Sequence, residues 1–364
     1  MTQTIVLTTG GSGGHIFPAQ SVAAELVKKG YQVVFITDKR GSEFQDLPEV
    51  KTYRLAAESV TGKSLIGKAI AAFKLWIGAG QAMKLLVQLK PALVIGFGGY
   101  ASLPAVISAQ MLHIPAILHE QNAILGRANR VAARGVRMIA TSFPHVNRVP
   151  QNIPTIHVGQ PVRAPILERQ NTPMPEKDTF NLLVFGGSQG AHFFSEHIPE
   201  VLMKLPENYR AKIELTQQAR PEDEDAVKKA YESAGFKSLT IASFFSNMPD
   251  LLSNANLVIG RGGAGTLTEV MVVGRPAIII PLPTAADNHQ VANAKELETA
   301  GGGWVIEQKD FDADKLAEHI KSLMDNPETL KQTAEKAHAM AIINAAERMA
   351  EMADDVIKGA SNNV

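Results

Sequence analysis

The 364-residue chain contains no cysteine, which excludes a disulfide framework, a cysteine-ligated zinc site and a thiol nucleophile. Net charge is missing too, with 36 Lys and Arg against 36 Asp and Glu, and no nucleic-acid partner is expected of so balanced a chain. No signal sequence is read ahead of the first apolar run. Nor is there a long unbroken apolar stretch. Pro91 to His119 holds no Asp, Glu, Lys or Arg, but Pro91, Gly96, Gly98, Gly99, Pro104 and Pro115 divide it. The pieces read as a strand at 92–97, a short helix at 103–111 and a strand at 115–118, the pattern of buried α/β core. Hydrophobic residues make up 45% of the chain, enough to fill the cores of two domains.

The chain opens with strand, glycine turn and helix. Thr4 to Leu7 is a short β-branched apolar run, four glycines crowd the turn GGSGGHIFPA at 10–19, and helical spacing is read from Ala19 to Val27. A second strand at Gln32 to Thr37 completes a βαβ unit of a parallel sheet. Glycines let backbone approach a ligand, and the free amides at a helix start favour an anion, most often a phosphate. The dinucleotide fingerprint is not met. Counted from Gly11 and Gly13, its third glycine falls on Ile16, although Asp38 stands where a ribose-binding acid would.

The same pattern then recurs. Six prolines between Pro150 and Asp178 read as a linker, after which Asn181 to Phe185 is a strand and Gly186 to Ala191 a second glycine turn ahead of a helix. Deeper in this half, Gly260, Gly262 and Gly265 satisfy G-x-G-x-x-G, but the helix is read only from Thr266 to about Val273. Thr266 and Glu269 form T-x-x-E, so Glu269 is either a capping-box acid or an acceptor for a ribose diol. Charge also divides the halves: residues 1–160 carry 16 Lys and Arg against 7 Asp and Glu, and 161–364 carry 20 against 29. No acid stands between Glu58 and Glu120, where Lys63, Lys68, Lys74, Lys84 and Lys90 mix with Leu65, Ile66, Phe73, Leu75, Trp76 and Ile77. That segment is either a solvated helix with one core face or a helix lying on an anionic membrane.

Seven motifs stand in order along nearly the whole chain: GGSGGHIFPA (10–19), GGYASLPA (98–105), HEQNAILGRANR (119–130), VGQPVR (158–163), GGSQGA (186–191), RGGAGTLTE (261–269) and DNHQVANA (287–294). Together they resemble the MurG family of bacterial peptidoglycan N-acetylglucosaminyltransferases. The resemblance implies an α/β chain of the GT-B fold, two Rossmann-like domains facing a cleft. It implies inverting transfer of GlcNAc from UDP-GlcNAc to the C4 hydroxyl of MurNAc in undecaprenyl-diphospho-MurNAc-pentapeptide (lipid I), giving lipid II. Residues 1–162, joined by a C-terminal helix at about 341–358, would hold lipid I and meet the cytoplasmic face of the inner membrane. Residues 163–340 would bind the donor, and a cell-wall or division complex would be the setting. A UDP-GlcNAc epimerase or other GT-B enzyme, and a nucleotide-sugar-binding regulator without turnover, are the alternatives; a dinucleotide oxidoreductase ranks last.

Residue roles follow from the same resemblance. Ser12, Gly13 and Gly14 lie by the reacting sugars and the acceptor diphosphate; Ser188 and the turn around it bind the donor diphosphate. Glu269 takes the ribose hydroxyls, Phe245 contacts uracil through its backbone, Ala264, Gly265 and Thr266 line the same pocket, and Gln290 meets the GlcNAc hydroxyls. Asn122 and Arg163 match further binding positions. His15 is the expected base, because a histidine at a helix N-terminus is held neutral and able to accept; a purely positioning role is the alternative, with Glu120 and Asp287 as fallback bases. No cofactor and no metal are expected. No D-x-D motif is read after a strand, so helix dipoles and amides, with Arg163 or Arg261 assisting, would stabilise departing UDP. Two positions depart from the family pattern: Ser12 where threonine is common, and Gly265 where a larger residue is usual.

Overall fold

The computed structural model describes residues 2–10, 13–39, 41, 47–57, 64–170, 172–175, 178–187 and 191–361. The chain divides into two compact units, one of Met1–Arg163 with Ile342–Val364 and one of Ala164–Ala341.

Seven strands form the sheet of the first unit: β1 (Thr4–Thr8), β2 (Gln32–Thr37), β3 (Lys51–Arg54), β4 (Leu93–Gly96), β5 (Ala116–Glu120), β6 (Met138–Thr141) and β7 (Thr155–His157). All pairings are parallel, in the order β3-β2-β1-β4-β5-β6-β7. Both faces are covered, as a parallel sheet requires. Alternation along β1 sends Ile5 and Leu7 to one face and Val6 to the other. Helix α1 (Gly13–Lys28) and the C-terminal helix Ala345–Ser361 fill the first face, with Met349, Ala350 and Ala353 fully buried. The second face is filled by α2 (Leu65–Leu89), α3 (Leu103–Met111) and α4 (Arg127–Ala132).

Helix α1 starts earlier than the sequence pattern suggests. Its first residue is Gly13, so Gly13, Gly14 and His15 are helical and Pro18 lies inside. Proline has no N–H to give to the Gly14 carbonyl four residues back, so α1 forgoes one helical hydrogen bond there.

The second unit repeats the plan with six parallel strands: β8 (Phe180–Phe185), β9 (Ile213–Gln218), β10 (Ser238–Ala242), β11 (Leu257–Gly260), β12 (Ala277–Ile279) and β13 (Gly303–Val305), ordered β10-β9-β8-β11-β12-β13. In each unit the chain winds outward from its first strand and returns to that strand's other side. The crevice at such a reversal, outside the strand ends, is where open α/β sheets bind ligands. Here the reversals fall between β1 and β4 and between β8 and β11.

Candidate active site

At the carboxyl end of the first sheet, three loops converge on the reversal. The Gly10 N–H donates to the Gly98 carbonyl at 3.2 Å. A Cβ on Gly99 would stand 3.2 Å from both the Cα and N of Gly10, and Gly99 has φ +76. Only glycine combines that backbone with that approach. Gly98, with φ +84, leaves room for His15, whose Cδ2 and Nε2 would lie 3.4 Å from a Cβ there. The third loop follows β5: Gln121 Nε2 is 2.9 Å from His15 Nε2, and its Oε1 lies 3.7 Å from where a Cβ on Gly14 would be.

Glu120 builds that third loop. It is 2% exposed, and its Oε1 accepts from the Asn122 backbone N–H (2.9 Å) and Asn122 Nδ2 (3.1 Å). Its Oε2 accepts from the Gly126 N–H (2.8 Å) and Asn129 Nδ2 (2.8 Å). Burial pushes its carboxyl above the usual carboxylate range, and the four donors oppose that shift. A carboxylate enclosed in this way organises the loop and is badly placed to collect a substrate proton. Asn122, expected to bind substrate, serves Glu120 with two of its donors. Beside it, His119 is buried against Phe97 at 5.6 Å between ring centroids, with Nε2 3.3 Å from the Gly159 carbonyl and 3.2 Å from Ser142 Oγ. Burial lowers its pKa to about 4, against the pull of the Gly159 carbonyl. Arg163 lies over the Phe17 ring of α1, 4.5 Å from its centroid. Ser12 lies outside the described residues, as does Ser188; Gly13 is placed only as the first residue of α1.

The second unit gathers most of the expected donor residues at the ends of β8, β10, β11 and β12. The Gly186 N–H donates to Gln218 Oε1 (3.0 Å), and Gln218 Nε2 donates to the Ser243 carbonyl (3.0 Å), two residues before half-buried Phe245. Buried Gln218 thus ties the glycine turn to the Phe245 loop. After β11, the helix Ala264–Val273 is capped by Gly263, in extended backbone and with no side-chain cap. The capping-box reading of Thr266 and Glu269 is therefore corrected: both lie within the helix, Glu269 in its second turn, and both are half-buried. Ala264 and Gly265 occupy the first turn.

Gly262 explains how DNHQVANA reaches this turn. A Cβ there would run into the Gln290 carbonyl oxygen, and Asn293 Nδ2 donates to the Gly262 carbonyl at 3.0 Å. Gln290 Oε1 in turn accepts from the Leu282 N–H at 2.9 Å. Asp287 and Asn288 both adopt left-handed backbone, φ 54 and 59, a conformation that Asp and Asn tolerate best among residues with a side chain and that clusters at functional sites. Arg261 is a buried strut: Nη1 donates to the Ile280 carbonyl (2.9 Å) and Gln308 Oε1 (2.8 Å), and the guanidinium lies 4.7 Å from the Phe194 ring centroid. Burial lowers its pKa to about 10, so it stays charged at neutral pH. Three D-x-D triplets do occur after strands of this unit, at 223–225, 310–312 and 312–314. Within them, Asp223 pairs with His192 Nδ1 at 2.9 Å and Asp312 caps the helix Ala313–Asp325 by accepting from Asp314 N and Lys315 N. Asp38, the remaining dinucleotide signal, is buried, 2% exposed.

Two parallel-sheet α/β units, each with glycines at its strand reversal, are the plan of the GT-B fold. Residues 5–141 match the glycosyltransferase family 28 N-terminal domain and residues 181–354 the family's C-terminal domain. The chain belongs to glycosyltransferase family 28. It is 44% identical, over 98% of both chains, to the UDP-N-acetylglucosamine–N-acetylmuramyl-(pentapeptide) pyrophosphoryl-undecaprenol N-acetylglucosamine transferase of Paramagnetospirillum magneticum. The protein of the same description from Rhodospirillum centenum is 43% identical over 95% of this chain and 93% of that one. Among solved structures, Acinetobacter baumannii MurG superposes with a TM-score of 0.78 at 29% identity, covering 97% of this chain and 99% of that one. The UDP-GlcNAc 2-epimerase of Neisseria meningitidis reaches 0.68 at 15% identity over 96% and 99%, a likeness of fold alone.

His119 makes the first unit sensitive to acid. Its folded pKa of about 4 lies below the ordinary 6.5, so its contribution is complete above pH 6.5 and is lost as pH falls toward 4, about 3 kcal/mol in all. In chemical unfolding across that range, His119→Gln should lose less stability than the wild type by about that amount; parallel pH curves would assign the acid sensitivity to other groups.

Proposed function

We infer that this chain transfers GlcNAc from UDP-GlcNAc to the C4 hydroxyl of MurNAc in undecaprenyl-diphospho-MurNAc-pentapeptide, with inversion at the transferred carbon. The observation that carries this reading is identity above 40% over nearly the whole length of the named transferases. In the proposed chemistry the MurNAc O4 attacks C1 of GlcNAc from the face opposite the diphosphate. The bond from C1 to the phosphate oxygen breaks, its electron pair leaves on UDP, and the hydroxyl proton passes to His15. Glu269 receives the ribose diol, Phe245 meets the uracil, and Gln290 turns its amide to the sugar. Ser188 and the neighbouring turn amides are assigned to the diphosphate, and the start of the helix Ala264–Val273 stabilises the charge that builds as UDP departs.

Support for His15 is its place beside the close-packed Gly10 and Gly98 turns, in a unit separate from the residues proposed for the nucleotide. An assay with UDP-GlcNAc and a short-chain lipid I analogue tests the reading. It should yield the disaccharide product and UDP, and His15→Ala should turn over about 10²–10⁴-fold more slowly with UDP affinity unchanged. UDP-GlcNAc bound but never consumed would contradict the assignment, and near-normal turnover by the variant would remove His15 as base.

The same reading extends to the membrane. We propose that α2 rests on the anionic cytoplasmic surface where a lipid-linked acceptor resides. Its Ala69–Leu89 portion is long and apolar enough to cross a membrane by composition, yet Ala71, Ala82 and Leu86 are buried in the first unit. Its outer side exposes Ile70, Phe73 (60%) and Trp76 (74%), the last two stacked at 6.3 Å, among exposed Lys74 and Lys84. Apolar side chains ringed by lysines suit an interfacial helix. Replacing Phe73 and Trp76 by serine should abolish sedimentation with anionic vesicles and spare UDP binding; unchanged sedimentation would return both residues to plain surface.

A further inference from the structure

Gln121 is the side chain that meets the proposed base, and it is held there. Glu120 fixes the loop from Asn122 to Asn129 through its four hydrogen bonds, so the intervening Gln121 leaves β5 in a set direction. Its Oε1 rests over the bare Gly14 and its Nε2 lies 2.9 Å from His15 Nε2. An amide nitrogen has hydrogens to give and no lone pair to offer. The Gln121 NH₂ therefore donates, His15 Nε2 accepts, and the neutral ring carries its proton on Nδ1. That is the opposite of the form free histidine prefers in water. The same Cδ2–Nε2 edge lies close to Gly98, where the missing side chain makes room for it.

We propose that Gln121 is a positioning residue of the transfer, setting His15 in the Nδ1–H form and occupying the Nε2 lone pair until the acceptor hydroxyl takes its place. The inference rests on His15 being the base. Both donors compete for one lone pair, so the amide stands where the reacting hydroxyl must come and aims Nε2 toward it. It also resists protonation of that nitrogen, because an imidazolium would turn a donor against the Gln121 NH₂. Few ionisable groups neighbour His15, and charge on its ring opposes charge on His119. From β5 these are His119, kept neutral by its burial, and Glu120, enclosed by its four donors. Residues 13–24 of α1 and the Gly98-Gly99 turn contain no ionisable side chain besides His15 itself, and Tyr100 follows that turn.

Long-range ¹H–¹⁵N spectra of the full chain labelled in histidine, with His15 assigned by its loss in His15→Asn, test the contact directly. The wild type should show Nδ1 protonated and Nε2 bare at pH above its titration. Gln121→Leu should return the ring toward the Nε2–H form and raise the pH of its protonation by about 0.5–1. In the transfer assay the acid limb of kcat/KM should move up by the same interval, further in Gln121→Glu, with the Gln121→Leu plateau within about tenfold of wild type. A wild-type ring protonated on Nε2, or one indifferent to Gln121→Leu, overturns the proposal at the contact. A ring that responds while the acid limb stays put, the rate falling equally at every pH, overturns it at the choice of His15 as base.

Discussion

Where β1 and β4 run side by side, backbone touches backbone: Gly10 donates to the Gly98 carbonyl, and neither Gly10 nor Gly99 has a side chain to hold the strands' exits apart. Much of the first unit's site follows from that contact. It brings the start of α1 against the β4 turn and places the His15 ring over Gly98. Widening it by one methyl group would force a positive-φ backbone to carry a side chain and push the two turns apart. The second unit solves the corresponding problem at Gly262, which lies on the Gln290 carbonyl, so that two segments more than twenty residues apart in sequence become one wall.

Polar side chains buried behind these turns supply the stiffness. Glu120 holds four donors, and hydrogen bonds to a charged group are worth about 1.5–3 kcal/mol each, which goes against the cost of burying the carboxyl. Gln218 does the corresponding work with a neutral amide, bonding the Gly186 turn on one side and the Ser243 loop on the other. In neither case does the organising residue need to touch substrate. Each sets the direction in which the next segment leaves its strand.

Strands were the easiest elements to read. Thr4 to Leu7, Gln32 to Thr37 and Asn181 to Phe185 are apolar runs bounded by turn residues, and they correspond to β1, β2 and β8 within a residue or so. The paired glycine turns and the doubled α/β plan were legible for the same reason. Helix starts were not. Glycine and proline at 13, 14 and 18 read as turn by propensity, yet packing of α1 against the sheet overrides that preference. At Thr266 and Glu269 the local T-x-x-E pattern lost to Gly263, two residues before the helix's own Gly265. The roles of Glu120 and Gln121 had no sequence signal beyond their presence in HEQNAILGRANR, and Gln218 stands outside all seven motifs, because these roles depend on which loops the sheet brings together.

The proposed transfer divides the labour: the second unit would hold the nucleotide through Glu269, and the first would supply the proton acceptor. Calorimetric titration of UDP into the full chain, wild type beside Glu269→Ala, tests the donor half of that claim most directly. Since Glu269 lies in the second helical turn, beyond the Gly263 cap, the account predicts UDP affinity at least tenfold weaker with the melting temperature nearly unchanged. Unchanged affinity with a lowered melting temperature would contradict it and return Glu269 to the scaffold.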